Sequence, residues 1–271
     1  MNLLNDMHVH TSDSPDADIP AWQLVQRGTE NSLTAIGFVA HLDLNPEDYC
    51  YGGFNAEDYD ESINRARIES KGQISVMKGL EVGEPHVYEK QVKNIVDYSN
   101  YDFITGALHS VAGIGMVLGA EAYNDRDPLG IVEQYYVETL QMVEEADIDI
   151  LAHMGLFRRG LALAGLDYGF DETKCFPETI RTILETTIEK NIALELNTSG
   201  LRRKEKMTYP TPEILSLFKE MGGRLITIGS DTHRESHVFF GLERGRELLT
   251  DAGFSEVYTF LSRVPQAFGL F

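Results

Sequence analysis

The run Arg224-Leu225-Ile226-Thr227-Ile228-Gly229-Ser230-Asp231-Thr232-His233 decides the architecture. Its apolar centre is short and bounded by polar residues, which predicts a strand buried on both faces, of the kind that parallel sheets contain. It ends in a carboxylate and an imidazole two residues apart. In extended chain, residues i and i+2 share a face, so Asp231 and His233 present two donor groups to one place.

The same construction recurs upstream. Ala35 to Ala40 runs into His41, Ile74 to Leu80 into Glu81, Phe103 to Leu108 into His109, Ile148 to Ala152 into His153, and Ile192 to Leu196 into Asn197. A weaker opening strand at Leu3-Leu4 and Met7 precedes His8-Val9-His10, a second alternating pair. Stretches of helical period lie between these runs, over 21–31, 56–70, 129–145, 178–189, 212–220 and 242–252. Pro128, Pro177 and Pro212 fall in first turns, where a missing N–H costs nothing, and Gly222-Gly223 and Gly253 follow helix ends.

Strand and helix alternate, which predicts a parallel sheet. Parallel α/β proteins collect chemistry at the carboxyl ends of their strands, and an open sheet concentrates it at one switch point. Here successive strand ends all carry polar groups, so the sheet is expected to close into a barrel. No linker-like stretch interrupts the pattern, and residues 1–271 read as one domain.

With 42% hydrophobic and 24% charged residues, the chain has the composition of an ordinary globular protein. No apolar run reaches membrane-spanning length and the start lacks the features of a secretory leader, so neither is expected. Cys50 and Cys175 stand far apart and outside any CxxC pattern, which argues against a disulfide framework or thiolate zinc site and places the protein in a reducing cytoplasm. The net charge of −20 opposes binding to long nucleic acid or to an anionic membrane. A phosphate substrate would need a local source of positive charge, which bound metal ions supply.

Of the eight histidines, His8, His10, His41, His109, His153 and His233 follow apolar runs. Singly, each has an ordinary structural role available, Asp231 could cap a helix, and Glu81 could be a solvated loop carboxylate. Their agreement at one topological edge predicts a metal site instead, and imidazole with carboxylate suits zinc, iron or manganese. His86 and His237 follow no strand and read as solvated loop residues, as do Asp13 and Asp18. Gly113-Ile114-Gly115 lacks the third glycine and the basic residue of a phosphate loop and reads as a turn. Ser12, Ser14, Ser199 and Ser230 have no nucleophile-elbow context.

The set His8-Val9-His10-Thr11, His41, Gly79-Leu80-Glu81, His109, His153 and Gly229-Ser230-Asp231-Thr232-His233 resembles the motifs of the PHP (polymerase and histidinol phosphatase) superfamily, in family order across almost the whole chain. The resemblance implies a distorted (β/α)7 barrel with two or three divalent metal ions (zinc, manganese or iron) at the C-terminal ends of its strands. It implies that His8, His10, Glu81 and Asp231 hold one ion, that Glu81 bridges to a second held by His109 and His153, and that His41, His233 and Asp16 serve a third. Many relatives carry a carboxylate just before His41; here Asp43 is the nearest replacement.

"LELNTSGLRR" and "YPTPEILSLFKEMGGRLITIGSDTH" are most similar to stand-alone histidinol-phosphate phosphatases, which implies hydrolysis of L-histidinol phosphate to L-histidinol in histidine biosynthesis. The expected mechanism is attack by a hydroxide bridging two ions, with Glu81 and Asp231 as the catalytic carboxylates. Arg159 and Arg202 are the candidates for binding the substrate phosphate, with neighbours Arg158 and Arg203 as competitors. The competing readings are a PHP phosphoesterase acting on nucleotides or other small phosphoesters, a non-catalytic metal-binding module, and an amidohydrolase-type barrel, which also opens with HxH.

Overall fold

The computed structural model describes residues 4–270, so Leu3 of the expected opening strand lies outside it. In chain order the elements are β1 (Leu4–His10), α1 (Ala21–Glu30), β2 (Leu33–Val39), β3 (His41–Leu42), α2 (Ala56–Glu69), β4 (Ser75–Gly83), α3 (Pro85–Ile95), β5 (Phe103–Ala107), β6 (Ser110–Val111) and β7 (Gly115–Met116). There follow α4 (Pro128–Glu145), β8 (Ile150–Leu151), α5 (Phe157–Ala164), α6 (Glu172–Cys175), α7 (Pro177–Glu189), β9 (Ala193–Asn197), α8 (Pro212–Glu220), β10 (Ile226–Gly229), α9 (Leu242–Asp251), β11 (Glu256–Leu261) and β12 (Val264–Gly269).

The parallel strands run in the order β1-β2-β4-β5-β8-β9-β10, with β3 continuing β2 alongside β4. The first and last of them meet: Asp231 N donates to His8 O at 2.9 Å, and His10 N donates to Thr232 O at 2.9 Å. The sheet therefore closes into a barrel, and the two alternating motifs, far apart in sequence, become neighbours across the seam.

Strands apolar on both faces create two cores. Met7, Ala35, Val39, Met77, Phe103 and Ile150 fill the barrel interior, whereas Leu24, Ile63, Val132, Ile183, Leu215 and Leu249 pack helices against its outside. Interior space sets residue size. A Cβ on Gly79 would lie 2.3 Å from the Phe103 ring, so only glycine fits there.

Pro128, Pro177 and Pro212 each begin a helix, as expected, and Asp127 caps α4 by accepting from Leu129 N and Gly130 N. The turn at 113–115 is the tip of the small β6–β7 hairpin. β4 runs on to Gly83, so Glu81 lies inside a strand rather than beyond its end. Three helices escaped the sequence pattern. α3 buries only Pro85 and Val92 and so has no apolar stripe, while α5 and α6 are too short to show a period.

The β11–β12 hairpin was also unexpected. It lies under the amino end of the barrel, where Phe260 joins the interior core, Ser262 N donates to Asp102 Oδ1 at 3.1 Å and Arg263 Nε to Asp149 Oδ2 at 2.9 Å. No helix among the described residues is long and apolar enough to cross a membrane.

Candidate metal centre

Glu81 is the hub of the carboxyl end. Its side chain is 1% exposed, and β4 places it in register with His41 of β3. Glu81 Oε2 lies 3.0 Å from His10 Nε2, 3.3 Å from His8 Nε2 and 3.3 Å from His41 Nδ1. Its Oε1 lies 2.7 Å from His153 Nε2 and 3.3 Å from His109 Nε2. Five imidazoles from four segments of chain thus surround one carboxylate.

The remaining candidates complete the cluster. Asp231 Oδ1 is 3.1 Å from His233 Nδ1 and 3.9 Å from His10 Nε2. Asp16 Oδ2 is 3.1 Å from His233 Nε2, and its Oδ1 is 3.7 Å from His41 Nε2. The structure therefore brings together all nine side chains: His8, His10, Asp16, His41, Glu81, His109, His153, Asp231 and His233.

Does this cluster fit metal ions? Three observations say that it does. Potential ligand atoms of His8, Glu81 and His153, of His8, His10 and Asp231, and of His10, His41 and His233 converge to within 4.8 Å of one another. His8 Nε2 and His10 Nε2 face each other at 3.1 Å, an arrangement that a shared cation would satisfy better than a shared proton. Finally, His41 Nδ1 and Asp43 Oδ2 are buried 3.0 Å apart yet too poorly aligned to hydrogen-bond, and Asp16 Oδ1 is buried without a partner.

Electrostatics agree. Burial pushes the Glu81 carboxyl up, but the surrounding histidines, His8 and His41 foremost, outweigh it and hold the group well below the usual carboxylate range. Burial takes His10 down to about 3, with His233 and His41 adding to the effect, so its ring is neutral and offers a lone pair. Imidazole and carboxylate donors of this kind suit zinc and other transition ions.

Three carboxylates behind the cluster hold its backbone. Asp6 Oδ1 accepts from His8 N at 3.2 Å and Ser230 N at 2.9 Å; Glu84 Oε1 accepts from His109 N at 2.8 Å and Ser110 N at 2.9 Å; Glu195 Oε2 accepts from His153 N at 2.7 Å. Asp43, expected near His41, also reaches His109, with Oδ1 3.2 Å from its Nδ1. Sequence reasoning passed over Asp6, Glu84 and Glu195. The available signal was an acid inside or beside a buried apolar run, which must find a partner to be tolerated.

A cavity of about 810 Å³ opens over the cluster. Arg159 lines it, as expected. Arg202 does not: its Nη1 and Nη2 donate to Ser230 O and Asp231 O, both at 2.6 Å, so its head is engaged in holding the loop that carries Asp231. Arg203 and Arg234 line the cavity in its place. Arg158 is fully buried against Glu172 and is no competitor. His237 lines the cavity and is half-buried rather than solvated, Asp18 is the exposed loop residue expected, at the cavity's rim, and His86 is a half-buried residue of α3.

Known proteins show the same arrangement of chain. A histidinol-phosphatase of Lactococcus lactis is 26% identical over 94% of this chain and 93% of its own, and a probable histidinol-phosphatase of Clostridium acetobutylicum is 25% identical over 94% and 96%. The crystal structure of the Lactococcus lactis histidinol phosphate phosphatase, complexed with zinc, L-histidinol and phosphate, superposes with a TM-score of 0.84 at 24% identity, covering 97% of this chain and 98% of that one. The PHP domain family matches residues 6–199, the span from β1 through the end of β9 that supplies seven of the nine clustered side chains. The chain thus belongs to the PHP domain family.

Proposed function

We propose that the protein is a metal-dependent phosphomonoesterase that hydrolyses L-histidinol phosphate to L-histidinol and phosphate. The observation that carries this reading is the convergence of five imidazoles on Glu81, within a cluster of nine imidazole and carboxylate side chains beneath an arginine-lined cavity. Relatives that align along nearly their whole length carry the histidinol-phosphatase name, which supports the substrate. The working unit is taken as the whole chain, 1–271, because β10, Asp231 and His233 lie beyond the family match and yet close the barrel and the site.

His8, His10, Glu81 and Asp231 would hold one ion, Glu81, His109 and His153 a second, and Asp16, His41 and His233 a third, with zinc favoured by the donor set. When bound, such ions polarise phosphoryl oxygens and lower the pKa of water towards neutrality. Arg159 and Arg203, the half-buried arginines of the cavity lining where Arg234 is exposed, grip the phosphate, and each can give two parallel N–H donors to its oxygens. This overcomes locally the repulsion that a chain of net charge −20 exerts on an anion.

In hydrolysis a water oxygen bonds to phosphorus, the bond to the histidinol oxygen breaks, and the departing alkoxide takes up a proton. Glu81 and Asp231 are both held anionic by the histidines around them, once burial has been overcome. Their anionic form suits them to holding cations and to accepting a hydrogen bond from the attacking water, and Asp231 Oδ1, beside His233, is placed to relay a proton towards the leaving oxygen. Two unpaired cysteines, Cys50 and Cys175, are in keeping with a cytoplasmic enzyme.

The test is phosphate release from a panel of histidinol phosphate, nucleoside monophosphates and simple phosphomonoesters, with metal analysis of the same sample. Preferred turnover of histidinol phosphate, abolished by chelation and restored by zinc, is expected. Faster turnover of another ester would refute the substrate, and full metal loading with no hydrolysis would make the protein a binding module.

A further inference from the structure

Glu195 lies in the middle of β9, fully buried, and the proposed reaction gives it no part. Both of its oxygens are engaged. His8 Nδ1 donates to Oε1 at 2.7 Å, while Oε2 accepts from His153 N at 2.7 Å and from Asn197 Nδ2 at 3.2 Å. One carboxylate therefore holds the ring of a group on β1 and the backbone of a group after β8.

Both contacts constrain the centre. A proton fixed on His8 Nδ1 leaves the lone pair on Nε2, the atom that faces Glu81 and His10. His153 has a φ of +23°, in the left-handed region that a residue with a Cβ avoids, and the bond to Glu195 is what its N–H gains there. Gly229 on neighbouring β10 leaves room for the pair, since a Cβ there would lie 2.4 Å from Glu195 Oε1 and 2.5 Å from His8 Cβ.

We infer that Glu195 is a positioning residue of the metal centre, setting the His8 tautomer and the His153 backbone together so that two ligands from opposite parts of the chain are pre-arranged for the two ions whose ligand sets share Glu81. The inference rests on the metal-centre reading above. It predicts a specific failure for E195Q. The backbone N–H of His153 accepts nothing, so the amide oxygen must face it, and the amide NH2 then faces His8 Nδ1. That reverses the tautomer and places a proton on Nε2, pointing into the centre.

The measurement is zinc affinity by competition with a chromophoric chelator, together with zinc content after dialysis, on wild-type, E195Q and Gly229→Ala proteins of unchanged circular dichroism. Loss of affinity of about 10–100-fold is expected in both variants, because both disturb the same pair, one with Glu195 intact. In the zinc-loaded wild-type protein the His8 Nδ1 proton should appear in NMR spectra as a downfield, slowly exchanging signal that E195Q lacks. A fold-maintaining role alone would lower thermal stability while leaving zinc affinity and that proton unchanged, and this result overturns the inference. Wild-type protein that retains no zinc would instead overturn the reading of the centre itself.

Discussion

At the amino end of the barrel Arg263 donates to both Asp147 and Asp149, and Arg67 pairs with Asp102; at the carboxyl end Glu81 and Asp231 face only imidazoles. Among the described residues, no lysine or arginine approaches either of those two carboxylates within ion-pair distance. The amino end also has Phe260 closing the interior core, whereas the carboxyl end opens into a cavity. Both ends carry buried carboxylates, but only the amino end meets them with arginines, which stay charged. Such pairs need nothing further, whereas carboxylates met only by imidazoles, which can give up their protons and become neutral ligands, suit a cation from outside. The comparison separates structural charge from functional charge by partner type, where burial or charge count alone would not.

The strongest challenge to this contrast is Glu81→Gln. It should lower kcat/KM by about 10³-fold or more by removing the hub carboxylate, with the fold intact by circular dichroism. Activity within tenfold of wild type would show that Glu81 is as structural as Asp102.

Phe260→Ala should act in the opposite sense. It should destabilise the protein by about 3–5 kcal/mol in urea or thermal unfolding, the usual cost of emptying an aromatic core site, while zinc content per folded molecule stays unchanged. A loss of zinc at conditions where the variant is folded would mean that the two ends are not independent.

Within the carboxyl end, Arg159→Ala and Arg203→Ala should each lower kcat/KM about 10–100-fold, as expected for losing a charge-assisted bond of about 1.5–3 kcal/mol to phosphate. Inorganic phosphate inhibition should weaken in parallel. Arg202→Ala should weaken phosphate inhibition less than either, since its donors reach Ser230 O and Asp231 O and not the cavity; the reverse ranking would restore Arg202 to the phosphate site. The smallest effect is expected at the amino end, where Arg263→Ala should cost about 1–2 kcal/mol of stability with kcat unaltered.

Much of this was legible in the chain because buried parallel strands leave a plain record: short apolar runs, each ended by a polar residue, separated by helical periods and first-turn prolines. His8, His10, His41, His109, His153 and Asp231-Thr232-His233 stood out because their positions along the chain tracked those strand ends. The hairpin 256–269 left no such record, since β12 is mostly exposed and its role depends on Asp102, Asp147 and Asp149 waiting under the barrel.

What the sequence determined by itself was the alternation that makes a closed parallel sheet and the edge at which the donor groups collect, both properties of periodicity along the chain. Only the tertiary structure decided which side chains meet. Arg202 and Arg203 are adjacent in sequence, yet one turns to backbone carbonyls and the other to the cavity. Glu195 and His8 are 187 residues apart, yet share a proton at 2.7 Å. Those outcomes follow from the closure of the barrel between β1 and β10 and the direction each side chain takes from its backbone, and neither is encoded in local spacing.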